Sequence, residues 1–355
     1  MPMVIDELVK RPGLWLSPEQ SAGIVISSRV RLARNVRGHA FPEWAEDPER
    51  RELCQQLRDA LTSVRSLADA SFVDMEALDD VDTDVLRERH LISSELAEGD
   101  AGSGLVVAGD ERIAVMINEE DHLRLQAITP GMNLPAVWEK IDAVDTDLES
   151  RVAYAFSPTL GYLTACPTNV GTGLRASVMM HLSGLRLAND AEAVIRGLER
   201  IGFTVRGLLG EGTEAYGNMF QISNQSTLGE TEEAIIERLT GIASLLACHE
   251  QNARERLMED RRIYVADQIA RAFGVLMNAR LLSSKEAVDL LSGLRLGVEL
   301  GLVSGLTLGR INEIMLLTQP GHLQKMTGRV IDSDERDEVR AGIVRRRLKG
   351  VSIKS

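Results

Sequence analysis

The sequence predicts an α+β fold followed by an all-helical C-terminal part, and two observations predict it. Up to about residue 230, short apolar runs typical of strands alternate with helical patterns of unequal length. From Glu230 the strand signals stop and helical periodicity continues almost to the end. A boundary near residue 255, inside or just after a long helix, divides the chain into 1–255 and 256–355.

Taken in order, Ile24 to Arg34 reads as a strand passing into a basic segment. Asp47 to Leu67 has helical spacing, with Leu53, Leu57, Leu61 and Val64 on one side. Leu105 to Ile117 reads as a hairpin turning at Gly109-Asp110. Around Arg124, apolar and polar residues alternate, which puts His122, Arg124 and Gln126 on one strand face. Leu134 to Ile141 and Leu174 to Leu185 read as helices, the second opened by Arg175. Asp190 to Ile201 is a helix that Gly202 stops, and Phe203 to Leu209 and Met219 to Ser223 are strands. Glu230 to Ala279 is a nearly unbroken helical pattern, followed by helices at Ser284 to Leu291, Thr307 to Leu317 and Glu335 to Leu348. Gly301, Ser304-Gly305 and Pro320-Gly321 are the breaks between them.

Composition narrows the function. A hydrophobic fraction of 44% supports a real core, and a formal net charge of −13 argues against nucleic acid as a partner. That balance leaves room for a local basic pocket. Three cysteines, Cys54, Cys166 and Cys248, are widely spaced and cannot all pair, which fits free thiols in a reducing cytoplasm. Met1 to Arg11 lacks the apolar core of a signal peptide. No apolar run reaches the ~18 residues of a membrane span. No Cys/His spacing suits a structural zinc.

The richest segment is Gly161 to Arg175, where an apolar strand runs into Cys166-Pro167-Thr168-Asn169-Val170-Gly171-Thr172-Gly173. Proline fixes the turn and glycines allow close backbone approach. Thr168 can hydrogen-bond the sulfur, and Arg175 adds positive charge, an environment that favours a thiolate. A lone Cys before a turn would otherwise read as a small buried hydrophobe. Upstream, Arg29 and Arg31 alternate along a strand and so point the same way, two guanidinium forks suited to a polyphosphate. Taken alone, an Arg-x-Arg reads rather as a solvated basic edge strand. Neither a P-loop nor a eukaryotic-type kinase signature is present.

The Cys-Pro-Thr-Asn-x-Gly-Thr-Gly run resembles the signature of the ATP:guanidino phosphotransferases, the creatine and arginine kinase family, and within it the bacterial protein-arginine kinases (McsB type). The resemblance implies an antiparallel sheet flanked by helices, with ATP as the phosphoryl donor and Mg2+ held mainly by ATP phosphates and water. It implies phosphate-binding roles for Arg29, Arg31, Arg124, Arg175 and Arg206, and a nucleotide contact for His90. Further ATP contacts would come from Ser27, Ser28, Val30, Ala176, Ser177, Val178, Met179 and the run Gly207, Leu208, Leu209, Gly210, Glu211.

In the same way the resemblance selects Glu120, within Asn118-Glu119-Glu120-Asp121-His122, as the carboxylate that orients the substrate nitrogen. Glu119 and Asp121 support it. Without the resemblance these carboxylates read as a solvated loop. Glu211 supplies a second carboxylate of the arginine-kinase type, and the Cys166 thiolate acts as an electrostatic partner. With Arg175 and Arg206 these form the implied catalytic set. Direct in-line transfer needs positioning and charge stabilisation only.

Small-guanidine kinases carry a helical domain of about a hundred residues ahead of this strand. Here the strand begins near residue 24, which fits an arginine displayed on a polypeptide. Arg336, Asp337, Arg340 and Ala341 match the Arg-Asp-x-x-Arg-Ala motif that the resemblance assigns to phosphoarginine binding and regulation. On a helix Arg336 and Arg340 stack on one face, which also describes an ordinary salt-bridged surface. The implied partners are arginine-bearing proteins, a Clp-type unfoldase and protease, an activator protein and a second copy of the chain. The competing readings are a kinase for free arginine or another small guanidine, and a non-catalytic phosphoarginine adaptor.

Overall fold

The computed structural model describes residues 5–11, 13, 23–99, 101–207 and 216–354. Helix α1 (Ile5–Val9) precedes the long strand β1 (Val25–Arg34), and α2 (Asp47–Thr62) follows it. Next come β2 (Ser71–Asp74), α3 (Asp80–Glu88) and α4 (Ser94–Ala97). Strands β3 (Gly104–Val107), β4 (Ile113–Ile117) and β5 (Leu123–Pro130) lead into α5 (Leu134–Glu149). A small hairpin, β6 (Phe156–Ser157) with β7 (Gly161–Tyr162), precedes β8 (Leu174–His181). Helices α6 (Ser183–Leu187) and α7 (Ala191–Arg200) lead to β9 (Phe203–Gly207) and β10 (Met219–Asn224).

The sheet has eight strands in the order β2-β3-β4-β5-β1-β8-β10-β9, and every neighbouring pair is antiparallel. Antiparallel sheets segregate side chains by face. On the back face, Val30, Leu32, Ala176 and Val178 join the main core with apolar residues of α2, α5, α7 and α8 (Glu232–Asp260). On the front face, Leu105, Val107, Ala114 and Met116 pack with α1, α3 and α4.

The C-terminal part contains α9 (Arg262–Asn278), α10 (Ser284–Glu299), α11 (Leu308–Leu317), α12 (Pro320–Thr327) and α13 (Ser333–Arg347) around a second core. A two-stranded ribbon of Val303–Ser304 and Ser352–Ile353 closes it. Glu88, the last residue of α3, ties this part to the sheet region. Its carboxylate accepts from Gly321 N at 2.7 Å, His322 N at 3.0 Å and His322 Nδ1 at 2.6 Å.

Several expectations change. Leu174 to Leu185 is not one helix. Leu174–His181 is a strand paired on both sides, with β1 and β10. Its Leu, Arg, Ala and Met favour helices locally, but its alternation of buried Leu174, Ala176, Val178 and Met180 with Arg175, Ser177 and Met179 satisfies a sheet centre. The long pattern from Glu230 is broken at Arg261 into α8 and α9. Pro320 starts a helix rather than breaking one, because a first-turn proline loses no intrahelical hydrogen bond. Helices α5 and α10 run on past their expected ends to Glu149 and Glu299.

Candidate active site

Register gathers the arginines. Arg31 of β1 lies opposite Gln126 of β5 and Arg175 of β8, and Arg29 lies opposite Ile128 and Ser177. Arg124 is opposite Ala33, two residues from Arg31 and therefore on the same face. Gln221 of β10 is opposite both Met179 and Arg206. Arg29, Arg31, Arg124, Arg175 and Arg206 thus share the front face of five adjoining strands. Arg175 therefore lies in a strand and does not open a helix, contrary to the sequence expectation.

The cluster is short of counter-charge. Arg29 Nη2 donates to Gln221 Oε1 at 2.6 Å and Arg175 Nη2 to Ser223 Oγ at 3.3 Å, both neutral acceptors. Arg31 Nε and Arg175 Nε are buried with no hydrogen-bond partner among the described residues. Burial, then Arg175 and Arg124, push the Arg29 pKa down to about 10. Burial, then Arg29, Arg124 and Arg175, hold Arg31 well below its ordinary value. Arg175 is lowered by burial, then by Arg206 and Arg124. Such a set suits a polyanion, whose oxygens would satisfy the orphaned donors and relieve the repulsion. His90 belongs to the same region. Its carbonyl accepts from Gln126 Nε2 at 2.6 Å, and burial, then Arg29 and Arg31, press its pKa to about 4. It is therefore neutral near pH 7 and adds no further positive charge.

The acidic turn sorts its three carboxylates. The Glu119 side chain is buried, accepting from Arg124 Nη1 at 2.5 Å and from Ser93 Oγ. Asp121 is buried and accepts from Asn35 Nδ2 at 2.6 Å and Ala165 N at 2.7 Å. Glu120 alone of the three is open to solvent, its side chain 40% exposed and 3.1 Å from Arg124 Nη2. Burial raises its pKa, with Arg124 opposing the shift.

Cys166 begins a 3-10 turn, Pro167–Asn169, with its Sγ 3.0 Å from Thr168 Oγ1. Thr227 Oγ1 lies 2.9 Å from Thr168 O and 2.7 Å from Val170 O, bracing the turn from behind. Gly171 has φ 115°, and a Cβ there would come within 2.2 Å of Thr227 O, so only glycine fits. A cavity of about 160 Å³ joins the loop to the arginines, lined by Thr168, Asn169, Arg175, Thr204, Arg206 and Thr227 among others. Among the described residues no group of three or more His, Cys, Asp or Glu stands together as a metal site.

Other expected residues divide. Ser27, Ser177 and Met179 share the arginine face by register, and Gly207 ends β9 beside Arg206. Val30, Ala176 and Val178 point to the opposite face, into the core. Ser28 also faces away, its Oγ donating to Gly131 O at 2.8 Å and accepting from Asn133 N at 2.9 Å. Leu208, Leu209, Gly210 and Glu211 lie outside the described residues.

In the C-terminal motif, Arg340 and Ala341 are buried. Arg340 donates to Thr318 O at 2.8 Å, Leu282 O at 2.7 Å, Ser284 Oγ at 2.8 Å and Asp337 Oδ1 at 2.5 Å, so it holds the helices together. Arg336, partly exposed, donates to Ile331 O at 2.8 Å. Sequence reasoning missed Gln221, Ser223, Asn35 and Thr227. Strand alternation in β10 carried a signal for Gln221 and Ser223. Asn35 lies 86 residues from Asp121, and nothing local marks it.

The family described as ATP:guanido phosphotransferase, C-terminal catalytic domain, matches residues 52–253. The family described as Protein-arginine kinase McsB C-terminal domain matches residues 262–355. The chain is 44% identical over 343 residues to the protein-arginine kinase of Pelotomaculum thermopropionicum, covering 96% of each. It is 43% identical to that of Halalkalibacterium halodurans, covering 94% of this chain and 95% of the relative. Among solved structures it resembles lombricine kinase, with 26% identity and a TM-score of 0.57, covering 70% of this chain and 75% of that one. It also resembles the duplicated taurocyamine kinase of Schistosoma mansoni with bound transition state analog components. That match has 25% identity and a TM-score of 0.60, covering 80% of this chain and 43% of that one.

Proposed function

Since the chain belongs to the ATP:guanido phosphotransferases and, over nearly its full length, to the protein-arginine kinases, we propose that it transfers the γ-phosphoryl group of ATP to arginine side chains of polypeptides. The observation that carries this is the shared sheet face on which Arg29, Arg31, Arg124, Arg175 and Arg206 converge beside Glu120 and the Cys166 turn. The arginines hold the triphosphate and neutralise the charge that spreads over the transferring group. Glu120 pairs with the substrate guanidinium and turns its nitrogen toward the γ-phosphorus. A P–N bond forms as the bond to the ADP oxygen breaks, and the nitrogen gives its proton to a carboxylate that pairs with the guanidinium. Mg2+, carried on the ATP phosphates, would supply further charge neutralisation there. Glu211 supplies a second carboxylate in this reading, and Cys166 Sγ faces the guanidinium as an electrostatic partner with no covalent intermediate.

The C-terminal motif provides a phosphoarginine contact through Arg336 and Asp337, with Arg340 and Ala341 fixing the helix beneath them. Membership in this family supports a cytoplasmic enzyme whose product marks proteins for a Clp-type protease and adjusts the stress response. An activator protein and a second copy of the chain are its remaining partners. No helix of the described residues is long and apolar enough to cross a membrane.

The test incubates the protein with Mg-ATP and either free arginine or a loosely folded arginine-containing protein. Products are read by site-resolved mass spectrometry without acid, which cleaves P–N bonds. Phosphoarginine on the protein is the expected result. Phosphorylated free arginine alone would overturn the choice of substrate.

A further inference from the structure

We propose that Asp121 and Asn35 are positioning residues that set the separation between the Glu120 carboxylate and the Cys166 sulfur. The proposal rests on the reading of those two groups as the guanidinium clamp. Each clamp residue has a neighbour tied to one and the same atom. Asp121, which follows Glu120, accepts through Oδ1 from the backbone N–H of Ala165, which precedes Cys166, at 2.7 Å. That oxygen also accepts from Asn35 Nδ2 at 2.6 Å.

Asn35 completes the junction. Its Nδ2 donates to Leu163 O at 3.0 Å, and its Oδ1 accepts from His122 N at 2.9 Å. Its own carbonyl accepts from Ala155 N at 2.7 Å. One residue just past the end of β1 therefore holds the turn that carries Glu120, the segment that leads to Cys166, and the hairpin that precedes it. Both side chains are buried, Asp121 at 0% and Asn35 at 1% exposure. Consecutive Cα atoms are held ~3.8 Å apart, so fixing Asp121 and Ala165 leaves Glu120 and Cys166 little freedom to separate.

Geometry rather than charge is what the bonds supply. Only Oδ1 is used, and Oδ2 is buried with no partner among the described residues. An asparagine at this position can present its amide oxygen to the same two donors. This separates positioning from an electrostatic role for the carboxylate.

The experiment uses the full chain with Mg-ATP and an unfolded arginine-containing polypeptide. It compares Asp121→Ala, Asp121→Asn, Asn35→Ser and Cys166→Ser. The readouts are kcat, KM for ATP, and the alkylation rate of Cys166 relative to Cys248, an exposed thiol on α8 that serves as internal reference. Asp121→Ala should lower kcat ~100-fold while KM for ATP stays within ~2-fold, as expected when reacting groups are displaced by about an ångström. Its Cys166:Cys248 alkylation ratio should rise as the loop loosens. Asp121→Asn should recover kcat to within ~5-fold of wild type, because the acceptor is restored. Should Asp121→Ala not fold, Asn35→Ser carries the test, with an expected loss of ~10-fold in kcat. Wild-type kcat in Asp121→Ala, or in Asn35→Ser if only that variant folds, with Cys166→Ser inactive, overturns the positioning role alone. An Asp121→Asn variant that folds but is as inactive as Asp121→Ala also overturns it, in favour of charge. Wild-type kcat in Cys166→Ser would overturn the clamp reading and the proposal with it.

Discussion

Arg31 and Arg175 face each other across neighbouring strands β1 and β8. Like charges directly opposite in a sheet are destabilising, and here Arg29 and Arg124 add to the repulsion. The fold keeps this strain where an anionic ligand would relieve it. Arg175→Ala should therefore leave the nucleotide-free protein as stable as wild type, or more so by about 0.5 kcal/mol. The same variant should lose ~100-fold or more in kcat/KM. Thermal unfolding with and without Mg-ATP checks the first part and steady-state kinetics the second. A large loss of stability without nucleotide would contradict this account of the cluster.

His90 reports the same field. With its pKa pressed to about 4, it should stay neutral through pH 5 in the nucleotide-free protein. Bound phosphates would offset Arg29 and Arg31 and raise that value. An NMR titration of the His90 ring with and without a non-hydrolysable ATP analogue should show an upward shift on binding. An unchanged value would place the phosphates elsewhere.

His122 predicts acid sensitivity of the fold. Val36 N donates to its Nδ1 at 3.0 Å and its Nε2 donates to Ala40 O at 2.8 Å, so the folded ring is neutral. Burial chiefly, with His39 adding to it, lowers its pKa to about 4. The unfolded chain takes up that proton as pH falls through ~6.5. The stabilising contribution is thus complete above pH ~6.5 and is lost as the pH falls toward 4. Replacing His122 by Gln should flatten the dependence of Tm on pH across that window.

Gly171 tests the proposed role of the Cys166 turn. Alanine there meets both an unfavourable φ and the Thr227 carbonyl. Gly171→Ala should displace the turn that follows Cys166 and lower kcat ~10–100-fold. KM for ATP should change less, since most of the clustered arginines lie on other strands. Equal effects on both parameters would show that the loop also forms the nucleotide seat.

The C-terminal arginines should separate in their effects. Arg340→Ala removes the buried donor shared by Thr318, Leu282, Ser284 and Asp337, and should cost about 3 kcal/mol in denaturant unfolding. Arg336→Ala, on the partly exposed side, should cost under about 1 kcal/mol. Its effect should appear instead in binding of a phosphoarginine peptide, followed by calorimetry.

Much of the site could be read along the chain because its parts are local. The Cys166 turn is contiguous, its glycines and proline mark backbone that must bend, and Thr168 reaches the sulfur from two residues away. Strand alternation put Arg29 and Arg31 on one face before any partner strand was known. Other assignments failed where local preference and tertiary context disagree. Leu174–His181 carries helix-forming residues yet lies between β1 and β10, where sheet pairing outweighs their modest helical preference. The turn Glu119-Glu120-Asp121 offered three similar carboxylates, and nothing local marked which of them turn inward.

By itself the sequence determined the chemistry that is present: a thiol in a glycine-rich turn, paired carboxylates, strand-borne arginines and a helical C-terminal part. Only the tertiary structure decided which groups meet. Register across β9, β10, β8, β1 and β5 set the arginines on one face, and burial turned Glu119 toward Arg124 and Asp121 toward Ala165, leaving Glu120 open. Local pattern fixes which side of a strand a residue occupies. Which residues lie opposite it depends on pairing between segments distant in sequence, and that is settled by burying the whole sheet at once.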